Sequence, residues 1–176
     1  MKKEIKNKTL EFFVGDISQQ PGYEAVVNAA NAELRPGGGV AGAIHQKAGP
    51  RLDKECRQHA PIEVGEAVIT EAYELPNKKV IHTLGPIYRK NKDQKKQLSN
   101  CYKNSLELAE KHKISSVLFP AISTGAFNYP IEKATEIALK TTKKKLDELM
   151  EIKKIGFVLF SQEDLEVYKE KAKEIF

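Results

Sequence analysis

The stretch Val26-Val27-Asn28-Ala29-Ala30-Asn31, followed by Pro36-Gly37-Gly38-Gly39-Val40-Ala41-Gly42-Ala43-Ile44-His45, decides the fold. It reads as a short buried strand, two asparagines, a glycine-rich loop and the start of a helix. Such an order brings bare backbone N–H groups and a helix N-terminus to one rim, where they attract a phosphate. Asn28 and Asn31 donate and accept hydrogen bonds without carrying charge. A nucleotide or sugar-phosphate ligand is therefore the first expectation.

Outward from this stretch, strand-like and helix-like segments alternate. Residues 9–14, 25–28, 66–70, 79–83, 116–119 and 155–160 read as strands. Residues 40–48, 52–59, 98–112, 131–150 and 165–175 read as helices, with a break around Gly49-Pro50. Short apolar strands between helices imply an α/β sheet covered on both faces, with ligands outside the carboxyl ends of its strands. Gly15-Asp16, the loop from Asn28 to Gly42, Ser123 to Phe127 and Phe160-Ser161 each follow a strand or end one. Four loops are thus expected on one rim.

Composition narrows the class. The chain has 176 residues, 40% hydrophobic and 30% charged, the balance of one soluble domain with a sizeable core. No apolar run approaches the roughly 20 residues of a membrane span, and no apolar segment follows Met1-Lys2-Lys3-Glu4. A cytoplasmic protein is expected, with Cys56 and Cys101 as free thiols and no zinc spacing among histidines and cysteines. The net charge of +5 comes largely from Arg89, Lys90, Lys92, Lys95, Lys96, Lys143-Lys144-Lys145 and Lys153-Lys154. Few aromatics interleave with them, so a solvated face is expected rather than a nucleic-acid surface.

Gly37-Gly38-Gly39-Val40-Ala41-Gly42 formally satisfies the dinucleotide fingerprint G-x-G-x-x-G. It does not follow its strand directly, and no acidic residue ends a second strand about 20 residues on. A second small-residue loop, Pro120-Ala121-Ile122-Ser123-Thr124-Gly125-Ala126-Phe127, suits a second phosphate. Ser123 lacks a G-x-S-x-G context and reads as a turn or phosphate-contacting serine. Asp16 reads as a cap or turn residue, or as an acceptor for an exocyclic amine. His82, inside a strand, reads as a packed structural histidine.

The set Gly15-Asp16-Ile17, Val27-Asn28-Ala29-Ala30-Asn31, Gly37-Gly38-Gly39-Val40, Val80-Ile81-His82-Thr83-Leu84-Gly85-Pro86 and Phe119-Pro120-Ala121-Ile122-Ser123-Thr124-Gly125 strongly resembles the macrodomain family, and within it the MacroD-type branch. The resemblance covers nearly the whole chain and implies one macrodomain over residues 1–176, a three-layer α/β/α sandwich around a mixed, largely parallel sheet. It implies ADP-ribose as ligand and hydrolysis of the ester joining ADP-ribose to acidic side chains, with O-acetyl-ADP-ribose deacetylation as a second activity. It also implies ADP-ribosylated proteins as partners, a monomer, and no metal or other cofactor.

Carried over by motif, Asp16 binds the adenine amine with Ile17 packed near it, and Phe160 stacks on the adenine ring. Gly37, Gly38, Gly39 and Val40, with Ser123, Thr124, Gly125, Ala126 and Phe127, wrap the pyrophosphate and distal ribose. Asn31 bonds the distal ribose hydroxyls, Phe127 orients that ribose and its attacking water, and Asn28 supports from behind. Asn31, Gly125 and Phe127 are the positions implied at the reacting end. One departure stands out. Ala41 occupies the place where MacroD-type hydrolases commonly carry a water-activating aspartate, although some viral members with Gly-Gly-Gly-Val-Ala-Gly also hydrolyse the linkage. The departure leaves a non-catalytic ADP-ribose-binding module as the alternative.

Overall fold

A computed structural model describes residues 1–176. Seven strands form one mixed sheet: β1 (Lys2–Ile5), β2 (Lys8–Val14), β3 (Ala25–Ala29), β4 (Ala67–Glu71), β5 (Lys79–Thr83), β6 (Ser116–Phe119) and β7 (Lys154–Leu159). Their spatial order is β1-β2-β7-β6-β3-β5-β4. The four inner pairings are parallel, and the edge strands β1 and β4 run antiparallel to their neighbours.

Five helices cover the sheet: α1 (Gly39–Ala48), α2 (Pro50–Cys56), α3 (Lys95–Lys111), α4 (Ile131–Lys145) and α5 (Gln162–Ile175). The period-2 alternation of strand side chains divides the core in two. Val27, Ile81, Val117, Phe119, Phe157 and Leu159 join α3, α4 and α5 in one cluster. Their neighbours Val26, Val80, Leu118 and Val158 join α1 and α2 in the other. Because both faces are covered, the inner strands read as continuous apolar runs. Phe12 and Phe119 stack on Phe157 with centroids 5.4 and 5.8 Å away, and truncating Phe157 to alanine would cost about 3–5 kcal/mol.

The connections fix where a ligand can lie. From β3 the chain runs through α1, α2 and β4 to β5 on one side; from β5 it crosses through α3 to β6 on the other side of β3. The loops after β3 and β6 therefore leave in opposite senses and open a crevice at the carboxyl ends of the strands.

The elements differ from the sequence expectation most at three places, while α3 and α5 each start three residues earlier than expected. α4 ends at Lys145 rather than at 150, although Leu146 and Leu149 continue its apolar spacing into the same core. There the chain turns, and the Glu110 carboxylate accepts the N–H groups of Met150, Glu151 and Ile152. α2 ends at Cys56, with residues 57–59 in turns. β1 is an added edge strand. Its charged sequence hides it, and charge is what an exposed edge needs.

Candidate functional site

The rim of the crevice is a continuous cleft in three compartments. The first, about 540 Å³, runs from Gly15, Asp16 and Ile17 past Val40 and Thr124 to Phe160. The second, about 330 Å³, lies between Gly37–Ala41 on one side and Ser123, Gly125, Ala126 and Phe127 on the other, with Asn31 at its end. The two share Gly39, Val40, Ala121 and Gly125. A third, about 500 Å³, begins at Asn31, Gly85 and Phe127 and opens outward. The four loops expected on one rim do meet there.

Each wall follows from local chemistry. Asp16 caps a 3₁₀ turn, Ile17–Gln19. Its Oδ1 accepts the Ser18 N–H at 2.8 Å and the Ser18 hydroxyl at 2.7 Å, and its Oδ2 accepts Gln19 Nε2 at 2.8 Å. The Ser18 hydroxyl bond, the Ser18 N–H and Gln19 together hold the Asp16 carboxyl below its usual range. A carboxylate offers about four acceptor sites, so one remains on Oδ2 for a further donor. Ile17 is buried beside it, whereas Phe160 is 95% exposed.

The centre of the cleft is backbone. Gly42 lets the glycine loop fold against its own helix, because a Cβ there would run into the Gly37 carbonyl oxygen. A Cβ on Gly38 or Gly125, by contrast, would meet no protein atom, and both residues line the cleft. The first N–H groups of α1 have no intrahelical acceptor and face this space. Across from them, Ser123 sits in the left-handed region at φ 67° and turns the loop after β6. Thr124, Asn128 and Tyr129 donate backbone bonds within that loop, which leaves the N–H groups of Gly125, Ala126 and Phe127 free. Two opposed rows of free N–H groups form an anion cradle. The Ser123 hydroxyl is buried without a partner.

At the far end Asn31 is held in place by the Arg35 backbone. Its Nδ2 donates to the Arg35 carbonyl at 2.9 Å and its Oδ1 accepts the Arg35 N–H at 3.0 Å. One amide hydrogen and one lone pair stay free toward the cleft. No side chain that titrates lines the central compartment, and Ala41 is among its walls.

Asn28 does not line the cleft. It is buried behind it, with its Nδ2 donating to His82 Nδ1 at 3.0 Å. The Thr70 hydroxyl donates to the Glu71 carbonyl and so accepts from His82 Nε2 at 2.9 Å. Both ring nitrogens of His82 are therefore engaged with the imidazole neutral, and burial lowers its pKa to about 3. His82, His45 and Cys56, distant in sequence, come together with donor atoms within 4.8 Å. Burial pushes the Cys56 thiol up to about 12 and pulls His45 down. Both His82 nitrogens are already engaged by Asn28 and Thr70, whereas both His45 nitrogens are buried without a partner, and the three side chains form a polar layer behind Asn28.

Ala121 and Ile122, within the small-residue loop expected at a phosphate, also line the centre, as does Gly85, to which the sequence assigned no role. Gly85 follows β5, so the rule of loops after strands was the available signal. Its closeness to Ser123, where a Cβ would strike the hydroxyl, exists only in the fold.

Known proteins share this sequence and geometry. The human protein named ADP-ribose glycohydrolase MACROD2 is 46% identical over 179 residues, an alignment covering 100% of this chain and 42% of that protein. The chain thus spans less than half the length of that relative. A macrodomain of Oceanobacillus iheyensis, solved with ADP, superposes with a TM-score of 0.94 at 44% identity, covering 99% of this chain and 95% of the other. A Trypanosoma brucei macrodomain in complex with ADP-ribose gives 0.85 at 36% identity, covering 93% and 68%. The Macro domain family pattern itself matches residues 27–138, and with it the glycine loop, the buried His82 and the Ser123 turn, so this chain belongs to the Macro domain family.

Proposed function

We propose that this protein is an ADP-ribosyl hydrolase that removes mono-ADP-ribose from acidic side chains of proteins, with O-acetyl-ADP-ribose as a second substrate. The observation that carries the reading is the cleft itself: a carboxylate and an exposed ring at one end, two rows of free N–H groups in the middle, and a fixed amide at the other end. That order matches adenine, diphosphate and distal ribose. The relatives named for ADP-ribose hydrolysis support it, as do the similar structures with ADP or ADP-ribose bound.

In this reading the free acceptor site on Asp16 Oδ2 takes the adenine amine, Ile17 packs beneath the base and Phe160 stacks on it. Gly37, Gly38, Gly39 and Val40 hold one side of the diphosphate, and Ser123, Thr124, Gly125 and Ala126 hold the other. Asn31 bonds the distal ribose hydroxyls, Phe127 and Gly125 set the ribose and its water, and Asn28 keeps the strand end in place through His82. Water attacks the anomeric carbon and the acceptor carboxylate leaves. With Ala41 in the wall, no side-chain base takes the water's proton. The ligand's own phosphate holds the water and accepts the proton, and the protein contributes orientation in a preformed site.

The buried free thiols Cys56 and Cys101 support a reducing cytoplasm as its location, and no helix is long and apolar enough to cross a membrane. The protein acts as a single macrodomain monomer on ADP-ribosylated proteins, without a cofactor and without nucleic acid.

The test is release of ADP-ribose from a glutamate-linked, mono-ADP-ribosylated protein, with Asn31→Ala alongside. The wild type should release it, and the variant should lose about 100-fold in kcat while keeping most of its ADP-ribose affinity, the sign of an interaction made in the transition state. Binding without release would make the protein a non-catalytic ADP-ribose-binding module.

A further inference from the structure

The cleft does not end at Asn31 and Phe127. Its third compartment is walled by Val64 and Ile87, 40% and 55% exposed, and by Arg89, Lys92, Asp93 and Gln97. Arg89 and Lys92 take part in none of the ion pairs that occupy many other surface cations. Asp93, the anion in this wall, accepts the Lys95 N–H at the start of α3. The segment is built rather than loose. Buried Gln94 accepts the Arg89 N–H at 2.7 Å and donates to the Ile87 carbonyl at 2.6 Å. The Tyr88 N–H donates to the Phe127 carbonyl at 2.8 Å, tying this wall to the loop that lines the centre.

We propose that this compartment binds the polypeptide to which ADP-ribose is attached and favours acidic residues beside the modified side chain. The inference rests on the proposed function: with adenine at Asp16 and the distal ribose at Asn31, whatever is bonded to the anomeric carbon extends into this space. The wall chemistry names the occupant. Val64 and Ile87 suit aliphatic stems and backbone, and two unpaired cations suit carboxylates. A second nucleotide unit fits less well. The compartment offers no exposed ring beyond the shared Phe127 on which a second base could stack.

Two peptides separate this from the proposed function. Each carries ADP-ribose through a non-hydrolysable amide, one flanked by glutamates and one by alanine and glutamine, and free ADP-ribose is the reference. The wild type should bind the acidic conjugate about tenfold tighter than the neutral one, the scale of two rim ion pairs, and the preference should fade at high salt. Arg89→Glu with Lys92→Glu should erase the preference and leave free ADP-ribose binding unchanged. Equal affinity of the two conjugates in the wild type would overturn the proposal, as would a preference that survives in the variant. Tighter binding of an ADP-ribose dimer, lost in the same variant, would assign the space to a nucleotide and also overturn it. Absence of free ADP-ribose binding would remove the proposed function and this inference with it, whereas conjugate preference without turnover would remove only the hydrolase reading.

Discussion

The first two compartments of the cleft differ in their materials. At Asp16 and Phe160, side chains carry the chemistry: a carboxylate kept ionised by the Ser18 hydroxyl and an exposed ring. At Asn31 and Phe127, the groups on offer are a pinned amide and backbone N–H dipoles, and the nearest histidines lie behind the wall as neutral rings. The difference teaches that charge marks the recognition end and is withheld from the reacting end. An anionic diphosphate sits best among dipoles, away from a carboxylate that would repel it.

The largest effect expected tests the neutrality of the layer behind Asn28. His82 in the fold titrates near pH 3 and His45 is also lowered, whereas a histidine in the unfolded chain titrates near 6.5. Below pH 6.5 the unfolded chain binds more protons, so stability is full above that value and declines as pH falls toward about 3. The loss from His82 is on the order of 4 kcal/mol. Urea unfolding midpoints measured from pH 7 to pH 4 should fall steadily, and a flat profile would break the claim.

Next in size is Gly38→Val. Gly38 lines the cleft and a Cβ there would meet no protein atom, so the melting temperature should hold while ADP-ribose affinity drops more than about 100-fold, roughly 3 kcal/mol. Calorimetry showing normal affinity in a folded variant would remove the anion cradle from the comparison. Asp16→Ala should weaken ADP-ribose by about 1–3 kcal/mol and leave kcat intact, because it acts at the recognition end. A fall in kcat instead would show that the two ends are not separate. The smallest effect is that of Ala41→Asp. A carboxylate at that wall should raise kcat about tenfold, near 1.4 kcal/mol, with slightly weaker binding from repulsion of the diphosphate. An unchanged kcat would mean that the reacting end gains nothing from a side-chain base.

Much of this was readable from the chain because it depends on neighbours in sequence. The doubly covered sheet shows in runs such as Ser116–Phe119, and the glycine loop and Ser123 turn show in their small residues. What escaped depends on contacts across the fold. Leu146 and Leu149 keep a helical period beyond the helix because they fill the same core, and the Glu110 carboxylate, distant in sequence, fixes the turn that follows. His45, Cys56 and His82 have no metal-site spacing, yet three elements bring them together. The outer compartment depends on Gln94 folding the segment back on itself, which no local pattern announces.

The pairing of β2 with β7 sets Val14 beside Leu159, with almost the entire chain between them. The adenine compartment lies just beyond that pair, between Asp16 and Phe160. Closing so long a loop carries a high entropic cost and comes late in folding. On the ribosome, the anion cradle between α1 and the loop after β6 is complete in sequence well before β7 emerges. The base-recognising compartment is thus complete only when β7, the last strand synthesised, has joined the sheet.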